Sequence, residues 1–357
     1  MKNVLILGNG AREKTVFEKI QNFDSKYISS EKDFYLLKEF CIKQKINFII
    51  PSSESYLCAG IVDFFYENDN IVVFGPTKKQ SKIESSKIYS KTLMKLLNIP
   101  TAKFFFFKEK NLALKYYLSH NFEKNVIKQS GLAGGKGVFL PKTQEEGIDL
   151  INFLLKEKKN NGILIEDRLI GKEVSIMAFC DGSEAYLMPQ SQDYKTKYDG
   201  NIGLNTGGMG SICPSNILSN IELTRVNHYM NLIVKHLKYK GVLYAGIMKS
   251  KEKIYFLEFN CRFGDPETQV VLNLLDTDLL SIMEKCMLGI KPTIKWKNNL
   301  YCANVVLSHE LYPSMNSNSL NQISFGKLDK TVKVYESNVI LKNNKKYTNG
   351  GSICRKY

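Results

Sequence analysis

Eight residues, Tyr255-Phe256-Leu257-Glu258-Phe259-Asn260-Cys261-Arg262, constrain this 357-residue chain more than any other stretch. Extended, they would alternate between two faces: Tyr255, Leu257, Phe259 and Cys261 on one side, Glu258, Asn260 and Arg262 on the other. The first set is core material. The second places a carboxylate, an amide oxygen and a guanidinium in a row, a set suited to holding Mg²⁺ by oxygen and spreading positive charge over a phosphoryl group. A solvated polar face is the plain alternative. Against it stand an Asn in a strand, flanked by opposite charges, and the Gly264-Asp265-Pro266-Glu267 turn that follows at once.

Upstream, strand and helix signals alternate. Val4–Leu7 leads through Gly8-Asn9-Gly10 into a helix from Ala11. Phe48–Ile50 leads through Pro51-Ser52-Ser53-Glu54 into a helix through Phe65, and Val72–Phe74 precedes Gly75-Pro76. Such units build an open parallel sheet with ligands at the carboxyl ends of its strands. Gly8-x-Gly10 lacks the third glycine of the dinucleotide fingerprint, Glu13 standing there instead, and by itself reads as a tight turn. A Ser- and Lys-rich helix over about 78–98 then leads into a different region.

There, a strand ending at Lys128 opens into Gly131-Leu132-Ala133-Gly134-Gly135-Lys136-Gly137 and returns as Val138-Phe139-Leu140. Glycines let backbone amides approach phosphate and Lys136 adds a mobile charge, so the pattern reads as a hairpin flap over a nucleotide, mobile without it; an ordinary surface hairpin is the alternative. It is not a P-loop, because a strand follows rather than a helix. Ile163–Leu169 forms a strand and linker, and Lys172–Met177 starts another strand with Glu173 and Ser175 on one face. Glu166 to Leu169 could supply a hinge for adenine, and Glu166 or Glu173 an acceptor for ribose. The Ser191–Lys195 and Asn205–Gly210 stretches are too polar and glycine-rich to be mere connectors.

Composition excludes several classes. No apolar run approaches the ~20 residues of a membrane span and no signal-peptide core follows Met1, which points to the cytoplasm. The eight cysteines form no C-x-x-C pair, arguing for reduced thiols over disulfides or zinc. The net charge of +15 is spread along the chain without interleaved aromatics, which argues against nucleic acid and for a solvated surface that attracts small anions.

Four separated motifs in order resemble those of the phosphoribosylamine-glycine ligase (glycinamide ribonucleotide synthetase) family of the ATP-grasp superfamily: Gly8-Asn-Gly-Ala-Arg12-Glu13, Gly131–Gly137, Asn205-Thr-Gly-Gly-Met-Gly210 and Glu258-Phe-Asn-Cys-Arg-Phe-Gly-Asp-Pro-Glu-Thr-Gln269. The resemblance runs in register to Asn349-Gly350-Gly351. It implies an α/β class: an N-terminal open parallel-sheet domain (1–76), an ATP-grasp α+β region (77–295) with a small nucleotide-flap subdomain at about 100–165, and a small β-rich C-terminal domain (296–357) that is truncated. It also implies ATP-dependent joining of glycine to 5-phosphoribosylamine through glycyl phosphate, with Mg²⁺ or Mn²⁺ on Glu258 and Asn260; the alternatives are another ATP-grasp carboxylate–amine ligase and a non-catalytic binding remnant. Catalytic roles fall to Arg262 and Lys136, and nucleotide binding to Lys87, Lys128, Gly131, Gly134, Gly135, Gly137, Glu166, Leu169 and Glu173. Substrate binding falls to Gly10, Arg12, Glu13, Glu54, Asp193, Asn205, Thr206, Gly207, Gly208 and Asp265, although Asp265 before Pro266 reads first as a helix N-cap. The expected partners are these small molecules, with no nucleic acid or membrane, in a monomer or weak dimer. The chain departs from the pattern at Pro51-Ser52-Ser53-Glu54, where the family has Gly-Pro-Glu, at Lys14 and Tyr194, where it has His, and in a shortened stretch between Ile20 and Phe48.

Overall fold

The computed structural model describes residues 2–66, 71–132, 137–156, 161–251, 253–309, 312–313, 320–329, 331–348 and 352–356. Elements are numbered in chain order. The first sheet is parallel, in the order β2-β1-β3-β4: β1 (Asn3–Leu7), β2 (Ser25–Ser29), β3 (Phe48–Pro51) and β4 (Val72–Val73). Helices α1 (Ala11–Lys19), α2 (Phe34–Lys43), α3 (Glu54–Ala59) and α4 (Ile61–Tyr66) connect its strands. Val4–Leu7 and Phe48–Pro51 are wholly buried, as the apolar runs of a parallel sheet covered on both faces must be. Local signals set the helix starts: Asp33 accepts from the Tyr35 and Leu36 amides, and Ser53 from that of Ser55.

The second sheet is antiparallel, in the order β5-β8-β6-β7: β5 (Phe104–Phe107), β6 (Asn125–Gln129), β7 (Val138–Phe139) and β8 (Ile163–Asp167). Helices α7 (Lys110–Leu118) and α8 (Gln144–Leu154) cover it over Tyr117, Ile127, Ile151, Ile163 and Ile165. The strands on either side of the glycine motif, β6 and β7, pair antiparallel. The third sheet, in the order β10-β9-β15-β16, holds the longest strands: β9 (Lys172–Asp181), β10 (Ala185–Leu187), β15 (Lys240–Ser250) and β16 (Lys253–Asn260). One face packs Ile176, Ala178, Leu243, Ala245 and Phe256 against α9 (Asn220–Leu237) and α6 (Lys87–Leu96). The other packs Met177, Phe179 and Tyr244 with α10 (Glu267–Asn273) and α11 (Leu279–Leu288), in one cluster with Val4, Ile6 and Phe48 of the first sheet.

The remaining strands form a fourth sheet, a ribbon and a small fifth sheet. The fourth runs β11 (Gln192–Asp193), β14 (Gly210–Cys213), β17 (Cys302–Ser308), β22 (Ser352–Lys356) and β19 (Val334–Glu336); the ribbon joins β12 (Thr196–Tyr198) and β13 (Ile202–Asn205); the fifth sheet holds β18 (Gln322–Ile323), β21 (Lys345–Thr348) and β20 (Val339–Lys342). Among the described residues no helix is long and apolar enough to cross a membrane.

Three local readings are corrected. The helix expected over 78–98 is two, α5 (Lys82–Ser85) and α6, because Ser86 turns extended and spends its hydroxyl on the Tyr89 amide. In the β-rich C-terminal region, β19 and β20 are separate strands with Asn338, whose φ is 50°, between them. Asp265 is not a cap: α10 begins after Pro266 without a side-chain cap, and the Asp265 carboxylate instead accepts from Gln269 Nε2 at 2.7 Å. Strict alternation along β16 also fails. Gly246 pairs with Glu258 and Ile247 with Phe256, leaving Leu257 as the extra residue of a β-bulge. Ile254 and Phe256 therefore face the core before the bulge, Phe259 and Cys261 after it, and Leu257 joins Glu258 on the open side.

Candidate active site

The second and third sheets face each other across a cleft, and the strand register explains its floor. Ser175 of β9, Gly246 of β15 and Glu258 of β16 lie side by side across three strands, followed by the row Met177, Tyr244 and Asn260. Neighbours in register share a face, so the two strand ends that carry polar side chains open onto the same side. The bulge at Leu257 makes this possible, since without it Glu258 and Phe256 would share a face and one of the two would be misplaced.

Cations gather over that floor. Lys87 opens α6 and donates to the Gly131 carbonyl at 3.3 Å, tying the helix to the segment that follows β6. Lys128 of β6 lies 3.0 Å and Lys91 of α6 3.1 Å from the same oxygen of Glu166 on β8, and all three side chains are almost fully buried. Burial pushes the Lys87 and Lys91 ammoniums down, Lys91 to about 8. Lys195 pairs with Glu173 at 2.7 Å; burial acts to lower its pKa, but Glu173, with Tyr244, Asp193 and Glu258, raises it well above the ordinary lysine value. Burial alone would raise the Glu258 carboxyl, yet Lys195, Lys128, Lys87 and Arg262 outweigh it and hold it below the usual range, so it is ionised.

Arg262 lies just past the end of β16 in a network that reaches the first sheet. Its Nε meets Glu54 at 3.1 Å, one Nη meets Glu84 at 3.1 Å, and the other donates to the Phe263 carbonyl at 3.2 Å. The same carbonyl accepts from Arg12 at 3.1 Å, and Glu84 also accepts from the Cys261 amide at 2.7 Å. Burial acts to raise the Glu54 carboxyl, but Arg262 and Arg12 hold it below its ordinary value.

The loops at the far end are equally constrained. Thr206 accepts from the Gly208 amide and donates to the Lys195 carbonyl, while Tyr312 accepts from the Gly207 amide at 2.8 Å. Gly208 has φ +104°, and a β-carbon there would stand 2.5 Å from Pro266 and 2.8 Å from an Asp193 oxygen.

Of the residues singled out from sequence, Lys87, Lys128, Gly131, Gly137, Glu166, Glu173, Glu54, Asp193, Asn205, Thr206, Gly207, Glu258, Asn260, Arg262 and Asp265 line this one cleft. Leu169, Gly10, Arg12, Glu13 and Gly208 stand outside its lining. Glu13 is occupied at the start of α1, accepting from the Gly10 amide at 2.7 Å and Arg12 Nε at 3.0 Å. Gly134, Gly135 and Lys136 lie outside the described residues.

The amino-terminal 2–84 match the family model for the phosphoribosylglycinamide synthetase N domain, and 85–268 match that for its ATP-grasp (A) domain. The chain belongs to the phosphoribosylglycinamide synthetase family. Among curated relatives of this synthetase family, it is 35% identical to the phosphoribosylamine–glycine ligase of Halalkalibacterium halodurans, covering 98% of this chain and 88% of that one. It is also 35% identical to the human trifunctional purine biosynthetic protein adenosine-3, covering 98% of this chain but only 38% of that protein's length. The Thermotoga maritima phosphoribosylamine–glycine ligase structure superposes with a TM-score of 0.82 at 28% identity, over 99% of this chain and 91% of that one. The biotin carboxylase of Campylobacter jejuni shares the fold, with a TM-score of 0.78 at 13% identity over 99% of this chain and 86% of that one.

Several cleft residues of this synthetase-family chain were given no role from sequence, among them Glu84, Lys91, Tyr244 and Glu267. Lys91 had a signal, since it follows Lys87 by one helical turn and shares a face with Met94. Tyr244 sits in an apolar strand beside Gly246, which marks a close approach in hindsight. Glu84 and Glu267 resemble ordinary helix-start acids, and only packing distinguishes them.

Proposed function

We propose that this chain joins glycine to 5-phosphoribosylamine using ATP, giving glycinamide ribonucleotide, ADP and phosphate. The observation that carries the reading is the Glu258 carboxyl beside Asn260 on the cleft floor, with Lys87, Lys128, Lys195 and Arg262 lining the same cleft. Family membership and the names of the relatives support the same chemistry. In the proposed division of labour, 1–76 contributes to substrate binding, 77–295 carries the ATP-grasp chemistry and 296–357 packs beside it.

A glycine carboxylate is a poor electrophile. Transfer of the γ-phosphoryl group to it gives glycyl phosphate; the amine of phosphoribosylamine then forms the amide bond and phosphate leaves with the C–O bond. Both steps bring anion to anion. Lys87, Lys128 and the planar fork of Arg262 offset that repulsion and hold the groups in line, a role the family resemblance also gives Lys136. Glu166 fixes the Lys128 ammonium, and Glu54 with Glu84 fixes the guanidinium, so neither needs to be ordered when substrate arrives. The 166–169 segment and Glu173 are assigned to adenosine, Asp193 and Asn205–Gly208 to the glycine and phosphoribosyl moieties, and Arg12 and Glu54 to the mouth beside Arg262.

The floor fits a hard divalent cation. Glu258 is ionised with no described side chain bonded to its oxygens, and Asn260 spends its Nδ2 on the Phe259 carbonyl at 3.2 Å, leaving Oδ1 as the acceptor. These two residues would hold Mg²⁺ or Mn²⁺, which when bound neutralises phosphate oxygens. The test is direct: purified chain with ATP, Mg²⁺, glycine and freshly generated phosphoribosylamine, read by mass spectrometry for glycinamide ribonucleotide and by coupled assay for ADP. Glycine- and phosphoribosylamine-dependent ADP release with the matching product is expected. ADP release supported by another amino acid in place of glycine would refute the substrate assignment.

A further inference from the structure

At the opposite side of the floor from Glu258 stands a second carboxylate that the reading above does not use. Glu267, in the first turn of α10, is 3% exposed, yet it lines the cleft. Its Oε1 accepts two neutral hydroxyls, from Ser175 at 2.9 Å and Tyr244 at 2.9 Å, and those hydroxyls lie 2.8 Å from each other. Among the described residues no lysine, arginine or histidine lies within ion-pair distance of it, unlike Glu54, Glu84, Glu166 and Glu173 around the same cleft. A buried carboxylate held only by neutral donors is costly until a cation reaches it. Glycine 264 keeps the approach open: a β-carbon there would stand 2.6 Å from Glu267 Oε2 and 3.0 Å from the Tyr244 ring.

We propose that Glu267, seated by Ser175 and Tyr244, is the receptor for the primary ammonium of the amino-acid substrate. The proposal rests on the functional reading above and deepens it. Register supports the geometry: Ser175, Gly246 and Glu258 are in line on adjacent strands, so Ser175, whose hydroxyl holds Glu267, and Glu258 stand two strand spacings apart, about 9–10 Å between their Cα positions. The glycine residue between them, Gly246, puts no side chain in the way. A short amino acid lies across this gap with its ammonium on Glu267 and its carboxylate towards the Lys128, Lys87 and Arg262 end, where phosphoryl transfer takes place. The polarity of the cleft thus orients the substrate, and the missing cation at Glu267 selects an amine over a neutral hydroxyl, because a neutral group leaves the charge buried and unpaired.

The experiment compares the wild-type chain, E267Q, Y244F and G264A with glycine and with glycolate, which keeps the carboxylate and replaces the ammonium by a hydroxyl. ADP release gives KM for each and for ATP. For E267Q the glycine KM is expected to rise about tenfold or more and the preference for glycine over glycolate to fall by a similar factor, while the KM for ATP changes by less than about threefold. G264A, whose backbone is not left-handed at this position, is expected to raise the glycine KM by obstructing Oε2. Should E267Q fail to fold, Y244F decides, with an expected rise of about threefold to tenfold in glycine KM at unchanged ATP KM. Unchanged glycine KM and unchanged selectivity in folded E267Q, or unchanged glycine KM in Y244F where E267Q does not fold, overturns the proposal. A wild-type chain that releases no ADP with glycine overturns the functional reading and this proposal with it, so the two failures are distinct.

Discussion

Replacing Lys91 by Met should make this chain more stable at neutral pH. Lys91 is 2% exposed and shares one oxygen of Glu166 with Lys128, so a single carboxylate stands against two buried ammoniums. Burial first, and then the Lys128 charge, brings its pKa from 10.5 to about 8 despite the attraction of Glu166. The sign follows. Below about pH 8 both folded and unfolded chains hold the proton, and the folded chain bears the full cost of the buried charge. Between about 8 and 10.5 the unfolded chain binds more protons, so stability rises with pH; above 10.5 the cost is gone. At about 1.4 kcal/mol per pH unit the cost at neutral pH is about 3 kcal/mol at most. Met fills nearly the same volume and leaves a one-to-one Lys128–Glu166 pair. Loss of the 2.6 Å bond from Lys91 to Thr101 takes back about 1 kcal/mol, although Thr101 keeps its bond to the Phe256 carbonyl. The expected net gain is about 2 kcal/mol. Urea unfolding of both proteins followed by circular dichroism, at a series of pH values from neutral to alkaline, measures it, and the difference cancels the titration of all other lysines. A variant less stable than wild type at neutral pH, or a difference that does not shrink as pH rises, refutes the electrostatic reasoning.

Glu258→Gln and Asn260→Ala should each raise the Mg²⁺ concentration needed for half-maximal ADP release by about tenfold or more with little loss of melting temperature, since the opposite face of β16 still packs; normal activity at limiting Mg²⁺ would remove them from the metal site. Arg262→Lys should lower kcat by about a hundredfold, because a point charge cannot bridge Glu54, Glu84 and phosphate at once; steady-state turnover near the wild-type value would be decisive against that role. Gly171→Ala should cost about 3 kcal/mol or more, since its β-carbon would stand 2.1 Å from the Lys249 backbone carbonyl oxygen, and backbone must move where no side chain can; thermal unfolding that matches wild type would contradict the packing described.

The alternating β/α pattern of residues 4–74 determined the parallel sheet by itself, because a continuous buried run such as Val4–Leu7 has few other ways to satisfy its backbone and its apolar side chains together. The antiparallel strands on either side of the Gly131–Gly137 segment, and the polar side of the strand that carries Glu258 and Asn260, were equally legible, because their signals are local. What the sequence could not state is which partner each charge has. Glu166 reads as a ribose acceptor until Lys91 and Lys128 are seen on one of its oxygens, and Arg262 reads as a free phosphate ligand until Glu54 and Glu84 are seen holding it. Those partners lie between 38 and 208 positions away along the chain, so no local pattern encodes them. The bulge at Leu257 is the clearest case. The sequence specifies a two-faced strand, but the phase between Phe256 and Glu258 is fixed by pairing with Ile247 and Gly246, and a slip of one residue exchanges core for site. Local chemistry determined which groups this chain would bring to its site; long-range pairing alone decided which of them face the cleft, and in which state of charge.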